Sequence, residues 1–203
     1  MFNQELANKI DSFLRKNLDI MFDFEFNGLL LLRGGAIKGF IMDTKIKDYD
    51  FVLLTQEKDN IMDFINTHNV EFLGKDSREY KFTYNNLKIG INPTNDLSYN
   101  IASLNTDFLF YDIHRKQFIP IGINKALKKR QIIVYGYFGF PRYEQRVALK
   151  NRIKVGQEFI QFLTKSDRKV KVVRKNKYYK RLLIGFLKNP SKIKKLFRGK
   201  NNV

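Results

Sequence analysis

A short unit within residues 31–55 most constrains the fold of this chain. An apolar run there ends at Gly34 and Gly35, and a second apolar run carries Asp48 and Asp50. Side chains two residues apart in a strand point to the same face, so the two carboxylates share one face. Like charges inside a strand repel and must stay solvated, paired or bound to a cation. The unit therefore predicts strand, glycine turn, short helix and strand, with a solvated sheet edge or a cation site.

The rest of the chain mixes helical periodicity with hairpin signals. Helical spacing occurs at residues 3–17, 36–43, 58–68, 96–105 and 142–164, with a break expected at Gly39. Alternating runs separated by turn residues predict hairpins at 79–92 and 107–121, and residues 124–136 predict a short helix followed by a strand. No internal repeat is present. This pattern predicts the α+β class, with a small mixed sheet and flanking helices, and excludes a regular βαβ array.

Composition limits the function classes. The chain has no cysteine, which excludes disulfides and thiolate metal sites. The longest apolar run, 28–32, is too short for a transmembrane segment, and no secretory leader is recognisable. A cytoplasmic protein is therefore expected. The net charge of +18 predicts a polyanionic partner, and residues 165–203 contain 15 Lys and Arg against one acid.

The residue types of the opening unit suit phosphate chemistry. Asp48 and Asp50 offer the hard oxygen ligands that Mg²⁺ requires, and Mg²⁺ commonly shares such ligands with substrate phosphates. Gly34 and Gly35 allow a ligand close to the backbone, where the following helix offers free N–H groups to a phosphate. Lys38 adds positive charge. The unit therefore predicts phosphoryl transfer, in which positioning and charge neutralisation dominate.

The same residues carry a family resemblance. The segment "RGGAIKGFIMDTKIKDYDFVLLT" resembles the head-domain signature of the tRNA nucleotidyltransferase and bacterial poly(A) polymerase family, in the DNA polymerase beta superfamily. The stretch "NDLSYNIASL" resembles the family's second motif and places Asp96 and Asn100 at its Asp and Asn positions. Further along, "RYEQRVALKNRIKVGQEF" resembles the family's neck helix, with Arg146 at an arginine position.

The resemblance implies an activity, an organisation and roles for residues. It implies a nucleotidyltransferase head at residues 1–140 and a neck helix at 141–165. The charge of the last segment and the helical spacing of Tyr179, Leu182 and Phe186 predict a basic helical tail at 166–203. The resemblance implies transfer of a nucleoside monophosphate from ATP or CTP to an acceptor hydroxyl, most plausibly the 3′ end of RNA or tRNA, with two Mg²⁺ ions. The catalytic and metal-binding residues would be Asp48 and Asp50, and the nucleotide-binding residues Gly34, Gly35, Lys38, Asp96, Asn100 and Arg146.

Departures from the family pattern leave alternatives open. Lys88 stands where the family often has a third acid, and the sequence does not rank Glu71, Asp76 and Glu79 as substitutes. One alternative is a toxin or defence nucleotidyltransferase that modifies tRNA or protein. A second is an RNA-binding protein that has lost catalysis, and a third is a membrane-surface protein anchored by "YYKRLLIGFLKNPSKIKKLF".

The basic tail is expected to bind RNA through phosphate contacts. The alternative for such a charge run is a solvated segment that only aids solubility. The candidate RNA-binding residues are Lys169, Lys171, Arg174, Lys175, Lys177, Lys180 and Arg181.

Overall fold

A mixed sheet organises the fold. The computed structural model describes residues 2–76, 79–97, 104–135 and 143–174, except for the side chains of 143–148 and 174. The described strands are β1 (Leu29–Arg33), β2 (Asp48–Leu54), β3 (Glu71–Lys75), β4 (Tyr80–Tyr84), β5 (Leu87–Thr94), β6 (Phe110–Asp112), β7 (Gln117–Ile119), β8 (Gln131–Val134) and β9 (Lys171–Arg174). The described α-helices are α1 (Gln4–Asn17), α2 (Gly34–Met42), α3 (Ile61–Thr67), α4 (Ile123–Lys129) and α5 (Tyr143–Thr164).

The large sheet has the strand order β3-β4-β5-β2-β1-β6-β7, and β8 and β9 form a second, two-stranded sheet. In the large sheet β2 runs parallel to β5, and the other neighbours are antiparallel. The α+β prediction is confirmed. No helix in the described part of the chain is long and apolar enough to cross a membrane.

Helix α1 begins at a capped residue and covers the sheet. The side chain of Asn3 accepts a hydrogen bond from the Leu6 N–H, which satisfies one of the free donors of the first turn. Ala7, Ile10 and Leu14 recur at helical spacing and are buried. The helix predicted at residues 3–17 is therefore confirmed.

Helix α2 differs from its prediction in two ways. It begins at Gly34, directly after β1, and it passes through Gly39 without interruption. A Cβ at Gly39 would lie 2.5 Å from Ile46 Cγ1. The expected break is wrong, because this glycine serves close packing of the loop that leads into β2 rather than a turn.

The two faces of β2 differ in character. Tyr49, Phe51 and Leu53 are buried in the main core, which also contains the buried residues of α1, α2 and α3. The alternate residues face the other side, where Val52 packs with Leu31 in a smaller apolar cluster. Asp48 and Asp50 belong to this second face by strand alternation, as the sequence predicted.

Both predicted hairpins are present. Strands β4 and β5 meet at Asn85 and Asn86, whose φ angles of 50° and 61° suit a tight hairpin turn that asparagine tolerates. Strands β6 and β7 pair across residues 113–116. Strand β3 was not predicted, because its side chains are mostly exposed and show no apolar alternation.

The predictions for the second half have mixed outcomes. The helix, strand and long helix expected after residue 123 are confirmed as α4, β8 and α5. The helix expected at 96–105 lies mostly outside the described residues, and Leu104 forms a bridge with Val134 instead. Within the predicted tail, Lys171–Arg174 form β9, because Val172 and Val173 favour a strand beside β8. The helical spacing predicted further along the tail lies outside the described residues.

Candidate functional site

The candidate site lies where β1 ends and β2 begins. Asp48 is exposed and Asp50 is half-buried, and they lie at the start of β2 on the sheet face opposite the helices. In the parallel pairing with β5, Asp48 lies beside Lys88 and Asp50 lies beside Gly90. The structure therefore brings the two aspartates together on one accessible face, with a lysine next to the outer one.

Arg33 is paired with the inner aspartate. Its Nη2 donates to Asp50 Oδ2 at 2.7 Å, and the side chains are 16% and 27% exposed. Burial alone would lower the pKa of Arg33, but the charge and hydrogen bond of Asp50, aided by Glu79 and Asp107, raise it above its ordinary value. Arg33 is therefore a permanent cation within the site, and the sequence analysis missed it.

Glu79 supplies a second inward carboxylate. A Cβ placed on Gly90 would lie 2.8 Å from Glu79 Oε1 and 3.3 Å from Asp50 Oδ1, so both oxygens approach the same point. Burial, followed by the negative charge of Asp50, raises the pKa of Glu79 above its ordinary value. Of the three extra carboxylates that the sequence could not rank, the structure therefore places Glu79 beside Asp50.

The absence of a side chain at Gly90 creates this space. Asp50 directs Oδ2 to Arg33 and Oδ1 toward Glu79, so its two oxygens serve different neighbours. Lys81 lies on the outer side, with Nζ 3.7 Å from Glu79 Oε2 and 2.8 Å from Asp76 Oδ2. The cluster thus places two neighbouring carboxylates, Asp50 and Glu79, between the cations Arg33 and Lys81.

The glycine pair lies at the first turn of α2. Gly34 is buried, and a Cβ there would lie 3.0 Å from the Asp107 carbonyl oxygen, so this glycine allows close backbone packing. Gly35 is exposed, and a Cβ there would meet no atom within 4 Å. Arg33 occupies the N-cap without a side-chain hydrogen bond to the helix. The space at Gly35 is therefore open to a ligand beside uncapped N–H groups.

Lys38 occupies a different environment from the one the prediction requires. The residue is 5% exposed, and its Nζ lies 2.5 Å from Asp107 Oδ1. Its charge is therefore matched by Asp107 inside the protein rather than presented to solvent. Its assignment to the triphosphate stays a prediction that this ion pair does not support.

The other predicted nucleotide-binding residues do not join the cluster. Asp96 lies two residues after Thr94, the last residue of β5, and Leu54 and Thr94 pair at that end of the sheet. Six steps of about 3.3 Å from Asp48 to Leu54 place that end of the sheet, which Asp96 follows, roughly 20 Å from Asp48. Asn100 lies outside the described residues, and Arg146 lies in α5 but its side chain is not described. Their roles stay predictions.

The predicted RNA-binding residues are described in part. Lys169 and Lys171 are exposed, and Lys171 begins β9. Arg174 ends β9, but its side chain is not described. Lys175, Lys177, Lys180 and Arg181 lie outside the described residues.

The donor set fits a magnesium ion that also binds substrate. Within the described ranges, no three histidine, cysteine, aspartate or glutamate side chains are grouped closely enough to hold a metal ion. Mg²⁺ usually takes one or two protein carboxylates and completes its shell with water and substrate phosphate. Asp50 and Glu79 over Gly90, with Asp48 on the same face, meet that smaller requirement.

A separate cavity of about 460 Å³ lies on the helical side. Its lining includes Leu6 of α1, Phe40 of α2 and Phe162 of α5. None of its lining residues belongs to the aspartate cluster. This cavity is therefore distinct from the candidate site.

Comparison with solved structures gives partial likenesses to tRNA-processing enzymes. An apo form of a CCA-adding enzyme has 15% identity and a TM-score of 0.49, covering 91% of this chain and 45% of that one. The Thermotoga maritima CCA-adding enzyme complexed with tRNA has 16% identity and a TM-score of 0.48, covering 64% and 35%. A CCA-adding enzyme with CTP has 14% identity and a TM-score of 0.42, covering 57% and 31%.

This chain therefore spans less than half the length of each of these solved chains. No family model matches the sequence, and no curated protein matches it.

Proposed function

We propose that this protein is a Mg²⁺-dependent nucleotidyltransferase that adds nucleoside monophosphates, from ATP or CTP, to the 3′ end of an RNA such as tRNA. The observation that carries the proposal is the meeting of Asp50 and Glu79 over Gly90, beside Asp48 and the open first turn of α2. Carboxylates and a free helix N-terminus on one accessible face suit a metal-bound triphosphate.

The residues of the site would divide the work between them. Asp50 and Glu79 would hold one metal ion, Asp48 on the same face would bind the metal–triphosphate complex as it enters, and Gly35 would let a phosphate approach the N–H groups of α2. Bound Mg²⁺ would neutralise the triphosphate and favour the alkoxide form of the attacking hydroxyl. The acceptor oxygen forms a bond to the α-phosphorus as the bond to the pyrophosphate oxygen breaks, and pyrophosphate leaves.

Arg33 would reduce the repulsion between the carboxylates of Asp50 and Glu79. Its guanidinium lies 2.7 Å from Asp50 and holds that carboxylate in place, so Oδ1 stays directed toward Glu79. A carboxylate that is already held in position loses less conformational entropy when the metal and the triphosphate bind. No side-chain nucleophile is required for this chemistry, since the acceptor hydroxyl attacks directly.

The test uses Asp48→Asn and Asp50→Asn, with Asp63→Asn on the exposed surface of α3 as the matched control. Each protein is incubated with Mg²⁺, an RNA pool and one labelled nucleoside triphosphate at a time. We expect the site variants to lose at least about a hundredfold in pyrophosphate release, because several kcal/mol of charge stabilisation depends on the metal. Mn²⁺ binding, followed by electron paramagnetic resonance, should weaken in the same variants.

Unchanged Mg²⁺-dependent labelling of RNA in both site variants would contradict the proposal. Labelling of protein in a cell extract, with none of RNA, would transfer the assignment to a protein-modifying nucleotidyltransferase. Sequencing the RNA products would give the nucleotide added and its position.

A binding protein without catalysis is the second candidate. Lys88 lies beside Asp48, and Arg33 is already bound to Asp50, so cations face both aspartates. Such a site could stay neutral without a metal ion. This candidate predicts RNA binding with no Mg²⁺-dependent pyrophosphate release and no measurable Mn²⁺ binding.

A further inference from the structure

The positive charge of the chain begins at α4. Residues 1–122 contain 14 Lys and Arg against 17 Asp and Glu, whereas residues 123–174 contain 14 against three. The part of the chain that holds the aspartate cluster is therefore slightly acidic, and the helices and strand that follow it are strongly basic. The change from a slightly acidic to a strongly basic composition therefore occurs well before residue 166, where the basic tail is predicted to begin.

The exposed lysines of α4 lie on one side of the helix. Lys125, Lys128 and Lys129 are exposed, whereas Ile123 and Ala126 are buried against the core. Residues three and four positions apart on a helix are neighbours, so Lys125 is close to both of the other lysines. The helix therefore presents three positive charges to solvent at its C-terminal end.

Strand β9 and the residues just before it bring two more lysines to the end of α4. Arg130 follows Lys129 directly, and the Lys171 N–H donates to the Arg130 carbonyl oxygen at 3.0 Å. Gln131 and Lys171 are paired in the parallel ladder of β8 and β9, where neighbouring strands lie about 4.8 Å apart. Lys169 and Lys171 therefore lie beside the end of α4, although about 40 residues separate them in sequence.

Arg130 fixes the backbone on both sides of this junction. Its φ of 44° turns the chain from α4 into β8. Its guanidinium donates to Thr164 Oγ1 at 2.9 Å, to the Ser166 carbonyl at 3.0 Å and to the Arg168 carbonyl at 2.8 Å. Gln157 Nε2 donates to the Val170 carbonyl at 3.1 Å. These bonds hold the backbone around Lys169 against α5.

Within the described residues, the exposed lysines of α4 and β9 have no acidic partner. In the described part of the chain, none of Lys125, Lys128, Lys129, Lys169 and Lys171 forms an ion pair, in contrast to Lys9, Lys38, Lys81 and Lys116 elsewhere. Five positive charges close together on one surface repel each other, and a bound polyanion would relieve that repulsion.

We infer that Lys125, Lys128, Lys129, Lys169 and Lys171 form a basic face that binds the phosphate backbone of RNA. Lysine is a compact point charge that positions phosphates without reading bases, so binding here is independent of sequence. The inference rests on the proposed function only in the choice of RNA as the polyanion, because RNA binding here uses neither Asp48 nor Asp50.

The test compares two full-length double variants with the same change in charge. Lys128→Glu with Lys129→Glu alters the basic face, and Lys16→Glu with Lys58→Glu alters exposed lysines of the acidic part. Binding of a labelled single-stranded RNA is measured by fluorescence anisotropy over a range of salt, without Mg²⁺ or nucleotide. The plot of log binding constant against log salt concentration has a negative slope. Loss of two phosphate contacts should make that slope about 1.4 less negative.

We expect at least a tenfold loss of affinity at low salt in the first variant and a clearly smaller loss in the second. Equal losses would show an effect of net charge alone and would overturn the inference, as would unchanged binding in both. Lys125→Glu with Lys169→Glu repeats the test away from the last turn of α4, where reversal of charge also costs helix stability. Thermal melting confirms that each variant is folded.

Two controls separate this inference from the proposed function and from a membrane partner. Asp48→Asn should abolish nucleotide transfer and leave RNA affinity unchanged. The transfer assay therefore tests the proposed function, and the RNA affinity of the lysine variants tests the basic face separately. The same variants are tested with anionic phospholipid vesicles. Loss of vesicle binding in Lys128→Glu with Lys129→Glu, with RNA binding unchanged, would overturn the assignment of RNA as the partner.

Discussion

Glu79 illustrates how single residues set the electrostatics of the site. Its carboxylate approaches Asp50 because Gly90 has no side chain, and Arg33 and Lys81 supply the compensating charge. The pKa of Glu79 is raised by burial first and by Asp50 second, and the cations only reduce that rise. A raised pKa means that the folded protein holds the Glu79 proton more tightly than the unfolded chain does.

This shift predicts a pH dependence of stability. Below the ordinary pKa of 4.5, Glu79 is protonated in both states, and its contribution to folding is fully present. As pH rises through the higher pKa of the folded state, the unfolded chain releases its proton first, so the contribution is lost. The free energy of unfolding of the wild type relative to Glu79→Gln should therefore fall as pH rises above 4.5 and then level off.

Urea denaturation at a series of pH values measures this difference, with Glu71→Gln, on the exposed face of β3, as the control. Mg²⁺ should stabilise the wild type more than Glu79→Gln at neutral pH, since a ligand of the folded state raises its stability. A difference that does not vary with pH would show that burial and Asp50 do not raise the pKa of Glu79 in the folded protein.

At the scale of elements, the first turn of α2 contains two glycines with different surroundings. The helix starts directly at the end of β1, and its two glycines meet very different surroundings. Gly34 faces the Asp107 backbone, and Gly35 faces open space. The two positions therefore test packing and ligand approach independently.

Substitution of these glycines by alanine should have opposite effects on stability. Gly34→Ala brings a methyl group against backbone atoms at 3.0–3.3 Å and should cost about 1–3 kcal/mol. Gly35→Ala meets nothing and should be neutral or add up to about 1 kcal/mol, because alanine favours helix. The same methyl group should weaken ATP and CTP binding if a phosphate approaches there.

Denaturation curves and calorimetric titration with each nucleotide measure the two effects. Gly74→Ala does not serve as a control, because Gly74 has a φ of 122° that alanine adopts with strain. Asp63→Asn on α3 is the control for nucleotide binding. Gly35→Ala with wild-type affinity for both nucleotides would remove α2 from the binding site.

At the scale of the whole molecule, the chain divides into an acidic part with the aspartate cluster and a basic part with α4, α5 and β9. Residues 166–174, the first part of the predicted tail, are bound to the preceding elements. Strand β9 pairs with β8, and Arg130 donates to the carbonyl oxygens of Ser166 and Arg168. Whether residues 1–140, 141–165 and 166–203 behave as head, neck and tail stays a prediction. The structure does show that residues 166–174 pack on the preceding elements.

Two truncations should therefore differ in stability. Removal of residues 166–203 deletes β9, with its pairing to β8, and two acceptors of the partly buried Arg130 guanidinium, and should lower the melting temperature. Removal of residues 175–203 leaves these contacts in place and should weaken RNA binding and its salt dependence with a smaller change in melting temperature.

Melting curves and RNA anisotropy at low and high salt measure both effects. Nucleotide addition to a very short primer should persist in the shorter deletion, because Asp48 and Asp50 lie far upstream of it in the sequence. A folded protein without residues 175–203 that binds RNA as tightly as the full chain, at every salt concentration, would exclude the tail from RNA capture.

Local chemistry was enough for the sequence to determine most elements. Helical spacing predicted α1, α3 and α5, the Asn85-Asn86 turn predicted the β4–β5 hairpin, and period-two alternation placed Asp48 and Asp50 on one face. These features depend on neighbours within a few residues, so the sequence contains the information directly.

Only the tertiary structure decided which distant residues join the site. Glu79 reaches Asp50 through the register of β4 on β5 and β5 on β2, and Lys38 turns inward because Asp107 lies 69 residues away in sequence but 2.5 Å away in space. Asp96 matched a motif, yet the parallel register puts it at the opposite end of the sheet. Strand register is set by the packing of whole faces, and no local pattern encodes that packing.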